Sequence, residues 1–223
     1  RSIIGEIKKR DFEGILLIVS NPVDILTYIA LKESGYPANR VIGSGTVLDT
    51  GRFRYELGEH LGVDSRSVHA YIIGEHGDSE LAAWSDARVG GLKISDFCEL
   101  RGHFNHEDSM TRIFDHVKNS AYEIISKKHA TYYGIAMAVV RICSAIVRDE
   151  KSIMPVSSLM TGEYGTAGNG DGNGKKQYIK IWYMDDRGVH DVCICMVLRP
   201  ADRNGRRNGT VSGQHGQRRL HGG

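Results

Sequence analysis

The chain is poor in the residues that would mark it as secreted, metal-bound or membrane-spanning. It holds four cysteines, Cys98, Cys143, Cys193 and Cys195, and no pair is spaced C-x-x-C. The close pair is C-x-C on an expected strand. Neither a disulfide framework nor a zinc site is indicated, and the pattern fits a reducing cytoplasm. No apolar run reaches the roughly 18 residues needed to span a bilayer, and no signal-peptide pattern is visible. Ten histidines are present, yet none makes an HExxH pair; Glu59-His60 is followed by no second histidine four residues on. A G-x-G-x-x-G after a strand is missing from the first half, as is an acid placed to read an adenosine ribose.

What is present concentrates in two segments. In Ala70–Leu81, AYIIGEHGDSEL, the β-branched run ends at Ile72 and Ile73, Gly74 breaks it, and His76 follows between Glu75 and Asp78. A histidine there titrates near neutrality and is tuned by its neighbours. That suits proton transfer to or from a substrate oxygen. The plainer reading is a structural histidine at a strand end.

The second segment is Thr46–Gly58, TVLDTGRFRYELG, whose Val47, Leu48, Phe53, Tyr55 and Leu57 follow an interrupted helical period. Asp49 and Arg52, three apart, project from neighbouring positions of one face. Asp49 can hold the imidazole of His76 in one tautomer and stabilise its charged form, as the acid does in hydrolase triads. Arg52 can grip a carboxylate with a two-pronged donor fork that lysine does not offer. The plain alternative is a surface ion pair worth under about 1 kcal/mol.

Four motifs now line up in order: VSNPVDILTY (19–28), GSGTVLDTGRFR (43–54), IGEHGDSE (73–80) and ATYYGIAMA (130–138). With them the chain, from about Arg1 to Gly165, resembles the bacterial L-lactate dehydrogenases of the lactate/malate dehydrogenase family. The related malate dehydrogenases usually carry Gly before the histidine, so Glu75 favours the lactate branch.

The resemblance implies an NAD cofactor and reversible hydride transfer between NADH and a 2-oxo acid, pyruvate becoming L-lactate. It makes His76 the proton donor and acceptor, Asp49 its orienting partner and Arg52 the carboxylate clamp. Asn21 falls on a substrate-touching asparagine and Thr131 on a threonine lining the pocket. Val19, Ser20, Asn21 and Ser44 match positions beside the nicotinamide. Arg54 and His69 match positions where allosteric members bind fructose 1,6-bisphosphate across a subunit interface; the alternative is two unrelated surface groups. A homotetramer and a cytoplasmic location are likewise implied. No metal, no membrane and no nucleic acid are expected partners.

The implied fold is α/β, the second half of a Rossmann-type NAD domain followed by an α+β substrate domain. Strands are expected at 14–20 and 41–44, helices at 22–34 and 46–62, and a strand-rich region at 67–94. Helices near 108–128 and 131–149 carry Ile113, Val117, Tyr122, Ile124, Ile125 and Ile135, Met137, Val140, Ile142, Ile146, read as core stripes. Ile153–Leu159 is expected antiparallel to Val189–Cys195. The expected division is a dinucleotide-domain remnant (1–45), a catalytic domain (46–165), a flexible insertion (166–188), a terminal strand (189–195) and a disordered basic tail (196–223).

The chain therefore reads as a fragment lacking its N-terminal third and the selectivity loop, and inactive by itself. After TGEYG, the glycine-rich TAGNGDGNGKK intervenes before GVHDVCI; QYIKIWYMDD can form a strand whose pairing is open. Residues 1–165 hold 19 basic and 22 acidic groups, net −3, while residues 166–223 hold 10 and 5, net +5. The tail from Met196 has six Arg, six Gly and one acid, a composition that cannot bury a core. Two other functions stay in play: a lactate-dehydrogenase-like malate dehydrogenase, and a non-catalytic module whose basic tail binds nucleic acid.

Overall fold

The apolar run Ile15–Val19 yields a short strand, β1 (Leu16–Ile18), which pairs in parallel with β2 (Val41–Gly43). Parallel neighbours need a crossover, supplied by α2 (Val23–Ser34), whose Val23, Thr27 and Ala30 are buried. A helix not expected from sequence, α1 (Ser2–Lys8), adds Ile4 to Leu16, Ala30 and Val41 in a small core. The computed structural model describes residues 1–159 and the strands 182–185 and 188–191.

After β2 the chain turns into α3 (Val47–Leu61), then runs through five two-residue strands. These are β3 (Val68–His69), β4 (Ile72–Ile73), β5 (Leu81–Ala82), β6 (Arg88–Val89) and β7 (Leu92–Lys93). They form two antiparallel sheets, ordered β3-β6-β7 and β4-β5. The remaining helices are α4 (Ile94–Leu100), α5 (His106–Lys128) and α6 (Tyr133–Val147). The α/β class and the passage into α+β hold.

The main core gathers Phe53, Leu57 and Leu61 of α3, Val68 and Ile72 of the strands, Ile94 and Cys98 of α4, and Met110 and Val117 of α5. A second cluster packs Ile42 of β2 against Ile142 and Ala145 of α6 and Met154 of β8 (Ser152–Met154). Gly43 and Ser157 exchange backbone bonds of 2.9 and 3.1 Å, so the segment after β8 lies against β2.

Two expectations need correction. Within the described residues, Ile153 and Met154 of the first expected strand are not direct neighbours of Val189–Asp191 of the second. Trp182–Asp185 forms β9, which lies between β8 and β10 (Gly188–Asp191) and is antiparallel to both. β9 and β10 are two residues apart in sequence, the separation at which strands pair as a hairpin. The long-helix stripes are also narrower than their periodicity suggested. Val117 and Ile142 are buried, but Tyr122, Ile125, Met137 and Val140 are exposed. α5 is 23 residues long, and its later turns run past the core that Met110 and Val117 enter. The expected insertion outside β9 and the basic tail lie outside the described residues.

Candidate active site

The site is assembled by the junction of α3 with the end of β4. Thr46 Oγ1 donates to the Ile72 carbonyl at 2.7 Å. Thr50 Oγ1 donates to the same carbonyl at 3.2 Å and accepts the Ile72 N–H at 3.0 Å. These buried hydroxyls replace the partners that a two-residue strand leaves wanting. They also fix the first turn of α3, and so Asp49, against the loop that follows β4.

That loop turns back at Gly74, whose φ is +102° and where a Cβ would lie 3.2 Å from the Ser79 carbonyl oxygen. That positive φ favours glycine, and a side chain there would crowd the loop's two arms. His76 is thereby delivered to Asp49: Nδ1 lies 2.6 Å from Asp49 Oδ2. Asp49 is 3% exposed and also faces Arg52, whose Nη1 is 3.6 Å from Oδ1. The short bond to Asp49 raises the His76 pKa above the ordinary imidazole value, and burial opposes it. Nδ1 is committed to the carboxylate, so Nε2 is the nitrogen left for a substrate.

The sequence neighbours of His76 do not tune it. Glu75 accepts a bond from Ser79 Oγ at 3.0 Å, and Asp78 takes Lys118 Nζ on its carbonyl and Tyr122 Oη on its carboxylate. The acids that act on the imidazole are Asp49, Glu80 and Asp24. Asp24, in the first turn of α2, accepts the His76 backbone N–H at 2.9 Å and the Ser157 hydroxyl. Its pKa is raised, chiefly by burial. From sequence Asp24 reads as an ordinary first-turn acid of a helix, and nothing local distinguishes it. Glu80, 5% exposed, is pushed up to about 7 by burial and by the Asp49 charge.

β1 and β2 are parallel, so Val19, Ser20, Asn21 and Ser44 all follow carboxyl ends of neighbouring strands. Ser44 is buried and its N–H bonds the Ile18 carbonyl at 2.9 Å, while Ser20 and Asn21 are exposed. Thr131 precedes α6, and a Cβ built on Gly134 of that helix would stand 4.0 Å from Arg52 Nη2. Arg54 Nε donates to the Ala70 carbonyl at 2.8 Å, with its guanidinium over the Tyr71 ring at 4.6 Å. His69, beside Ala70, is exposed.

Residues 46–186 match the lactate/malate dehydrogenase alpha/beta C-terminal domain, and residues 1–43 match the family's NAD binding domain. The chain belongs to the lactate/malate dehydrogenase family. It is 58% identical over 165 residues to the L-lactate dehydrogenase of Acetivibrio thermocellus, covering 74% of this chain and 52% of that protein. L-lactate dehydrogenase 1 of Clostridium acetobutylicum is 55% identical, with 74% and 53% covered. The crystal structure of minor L-lactate dehydrogenase from Enterococcus mundtii in its ligands-bound form superposes with a TM-score of 0.77 at 47% identity. That superposition covers 86% of this chain and 58% of the other. The chain spans about half the length of the curated relatives it matches.

Proposed function

We propose that this chain carries the proton-transfer and substrate-orienting half of an NAD-dependent L-lactate dehydrogenase. The observation that supports this most directly is the buried Asp49–His76 contact at 2.6 Å with Arg52 on the same carboxylate. His76 would donate its Nε2 proton to the ketone oxygen of pyruvate, and take it back from L-lactate in reverse. Asp49 keeps Nδ1 protonated and offsets the imidazolium charge. Arg52 holds the substrate carboxylate in its fork, with Asn21 and Thr131 completing the pocket.

The nicotinamide end of NAD fits the carboxyl edge of β1 and β2, where exposed Ser20 and Asn21 stand beside Val19 and Ser44. Ligands of open α/β sheets bind at that edge. When bound, NADH supplies the hydride. A lactate-dehydrogenase-like malate dehydrogenase is the nearest alternative, and Glu75 before the histidine favours pyruvate over oxaloacetate.

Arg54 and His69 support a second role, binding fructose 1,6-bisphosphate between subunits of a homotetramer. Arg54 is held by its Nε–H beside His69, which keeps the fork at the end of β3. A guanidinium with a titratable histidine suits a phosphate. The sugar bisphosphate should lower the pyruvate concentration giving half-maximal rate, and the double change Arg54→Gln, His69→Gln should remove that response. Free Cys98 and Cys143 suit a reducing cytoplasm, and no helix among the described residues is long and apolar enough to cross a membrane.

The test is NADH-dependent pyruvate reduction by a chimera joining residues 1–165 to the flanking lengths of the Acetivibrio thermocellus relative. His76→Asn should lower turnover at least about a hundredfold. Retained turnover in that variant would remove His76 from the chemistry, and oxaloacetate outcompeting pyruvate would move the assignment to malate.

A further inference from the structure

Glu80 is a carboxylate in a place where a carboxylate is costly. It stands four residues after His76, where the loop returns to β5, and is 5% exposed. Its backbone N–H closes the turn onto the Gly77 carbonyl at 3.1 Å. Among the described residues, no donor hydrogen-bonds its side chain. One ligating atom each of Asp49, His76 and Glu80 lies within 4.8 Å of the other two. The register Ile73↔Leu81 of β4 and β5 produces this approach, because it folds the residue before Leu81 back over the loop.

Two buried carboxylates that close cannot both stay ionised without a cation between them. His76 is that cation only while it is protonated. The other charges facing Glu80 are Arg52, already engaged with Asp49 on α3, and Lys118 on α5, whose ammonium bonds the Asp78 carbonyl at 2.6 Å. His76 additionally faces Asp24 of α2, itself near Glu75. Among the cations facing Glu80, His76 therefore acts on its charge state more than Lys118 or Arg52 does.

We propose that Glu80 is the proton reservoir of the Asp49–His76 pair, holding a proton whenever His76 has given one away. The balance is simple. As the His76 Nε2–H bond breaks and the substrate O–H bond forms, the cluster loses one positive charge, and Arg52, engaged with Asp49, is left facing two carboxylates. A proton from solvent water then bonds to Glu80, leaving one. When His76 is recharged, Glu80 releases that proton to water. Glu80 acts through His76 and touches no reacting atom, so it is a positioning residue for charge. Burial and the Asp49 charge, which bring its carboxyl up to about 7, suit it to exchange protons with an imidazole. Nδ1 is spent on Asp49, which makes the cluster a site for protons rather than for a cation.

The catalytic consequence rests on His76 being the proton donor, but the coupling does not, and it is measurable in this chain without turnover. Isotope-labelled protein is titrated from about pH 4 to about pH 9, following the His76 imidazole and the Glu80 carboxyl carbon by nuclear magnetic resonance. The wild-type carboxyl should titrate near neutrality, with two steps mirrored in the imidazole curve. Glu80→Gln, nearly isosteric, should leave one step in His76 and lower its midpoint by about one pH unit. A Glu80 carboxyl titrating at an ordinary value of about 4.3 overturns the proposal, and this reading needs no variant to fold. So does an unmoved His76 midpoint in Glu80→Gln with native spectral dispersion. In the chimera, the pH profile of kcat/KM should shift to lower pH with the pyruvate KM unchanged. Coupled titration beside absent pyruvate reduction would retire the dehydrogenase reading alone; turnover with uncoupled titration would retire this one alone.

Discussion

A guanidinium and an ammonium carry the same charge, but only the guanidinium presents two parallel N–H bonds in one plane. Arg52→Lys in the chimera should therefore cut kcat/KM for pyruvate at least about tenfold, while a swap at exposed Arg66 leaves it unchanged. A second single-residue effect concerns stability. The His60 ring lies tilted against that of His103, centroids 4.5 Å apart, and its Nε2 is buried without a partner among the described residues. Burial, then His103 and Arg112, lowers its pKa. The unfolded chain takes up this proton at about pH 6.5, the native chain only below that. Native stability must therefore fall as pH drops from about 6.5 through the lowered native value. Urea midpoints at about pH 7.5 and about pH 5.5 should differ more for the wild type than for His60→Gln. At this scale the sequence offered Asp49, Arg52 and His76 as candidates by type and spacing, and the fold brings the three together. The sequence misassigned the tuning of His76 to Glu75 and Asp78, because adjacency in the chain says nothing about which way a loop side chain turns.

Among the elements, α3 combines a buried stripe with the site's first turn. Phe53 and Leu57 are fully buried, whereas Tyr55 is 56% exposed. Leu57→Ala should cost about 2–5 kcal/mol and Tyr55→Ala within about 0.5 kcal/mol, read from urea midpoints. The entry to α3 is tighter still. Gly45 has φ +51°, and a Cβ there would sit 2.6 Å from the Pro155 carbonyl oxygen and 2.8 Å from the Ser157 nitrogen. Both obstacles are backbone, so Gly45→Ala should destabilise by about 1–3 kcal/mol or more. The spans of α2, α3, α5 and α6 were legible to within a few residues, since a helical period is written locally. α1 and α4, seven residues each, are too short for a period to stand out. The exposed side of α6 was misread for a related reason: periodicity reports an apolar face, not what covers it.

In the whole molecule, Asp24 links three regions far apart in sequence. One carboxylate of α2 holds the His76 amide of the candidate-site loop and the Ser157 hydroxyl beyond β8. Asp24→Ala should raise hydrogen exchange at the His76 amide well above any change in α3, with a loss of about 1–3 kcal/mol in local protection. Equal loosening throughout would mean a general effect on the fold. No sequence pattern announces this clamp, because its partners lie 52 and 133 residues away.

Family membership, the helix periods and the residue types at the candidate site were all present in the linear chain, for each is carried by a short run of neighbours. The order β10-β9-β8, the pairing of Glu80 with Asp49, and the choice of acids facing His76 were decided only when distant segments met. Burial sets the charge of a carboxylate, and burial belongs to the packed molecule: Glu80 is one more acid in HGDSE until β4 and β5 close over it.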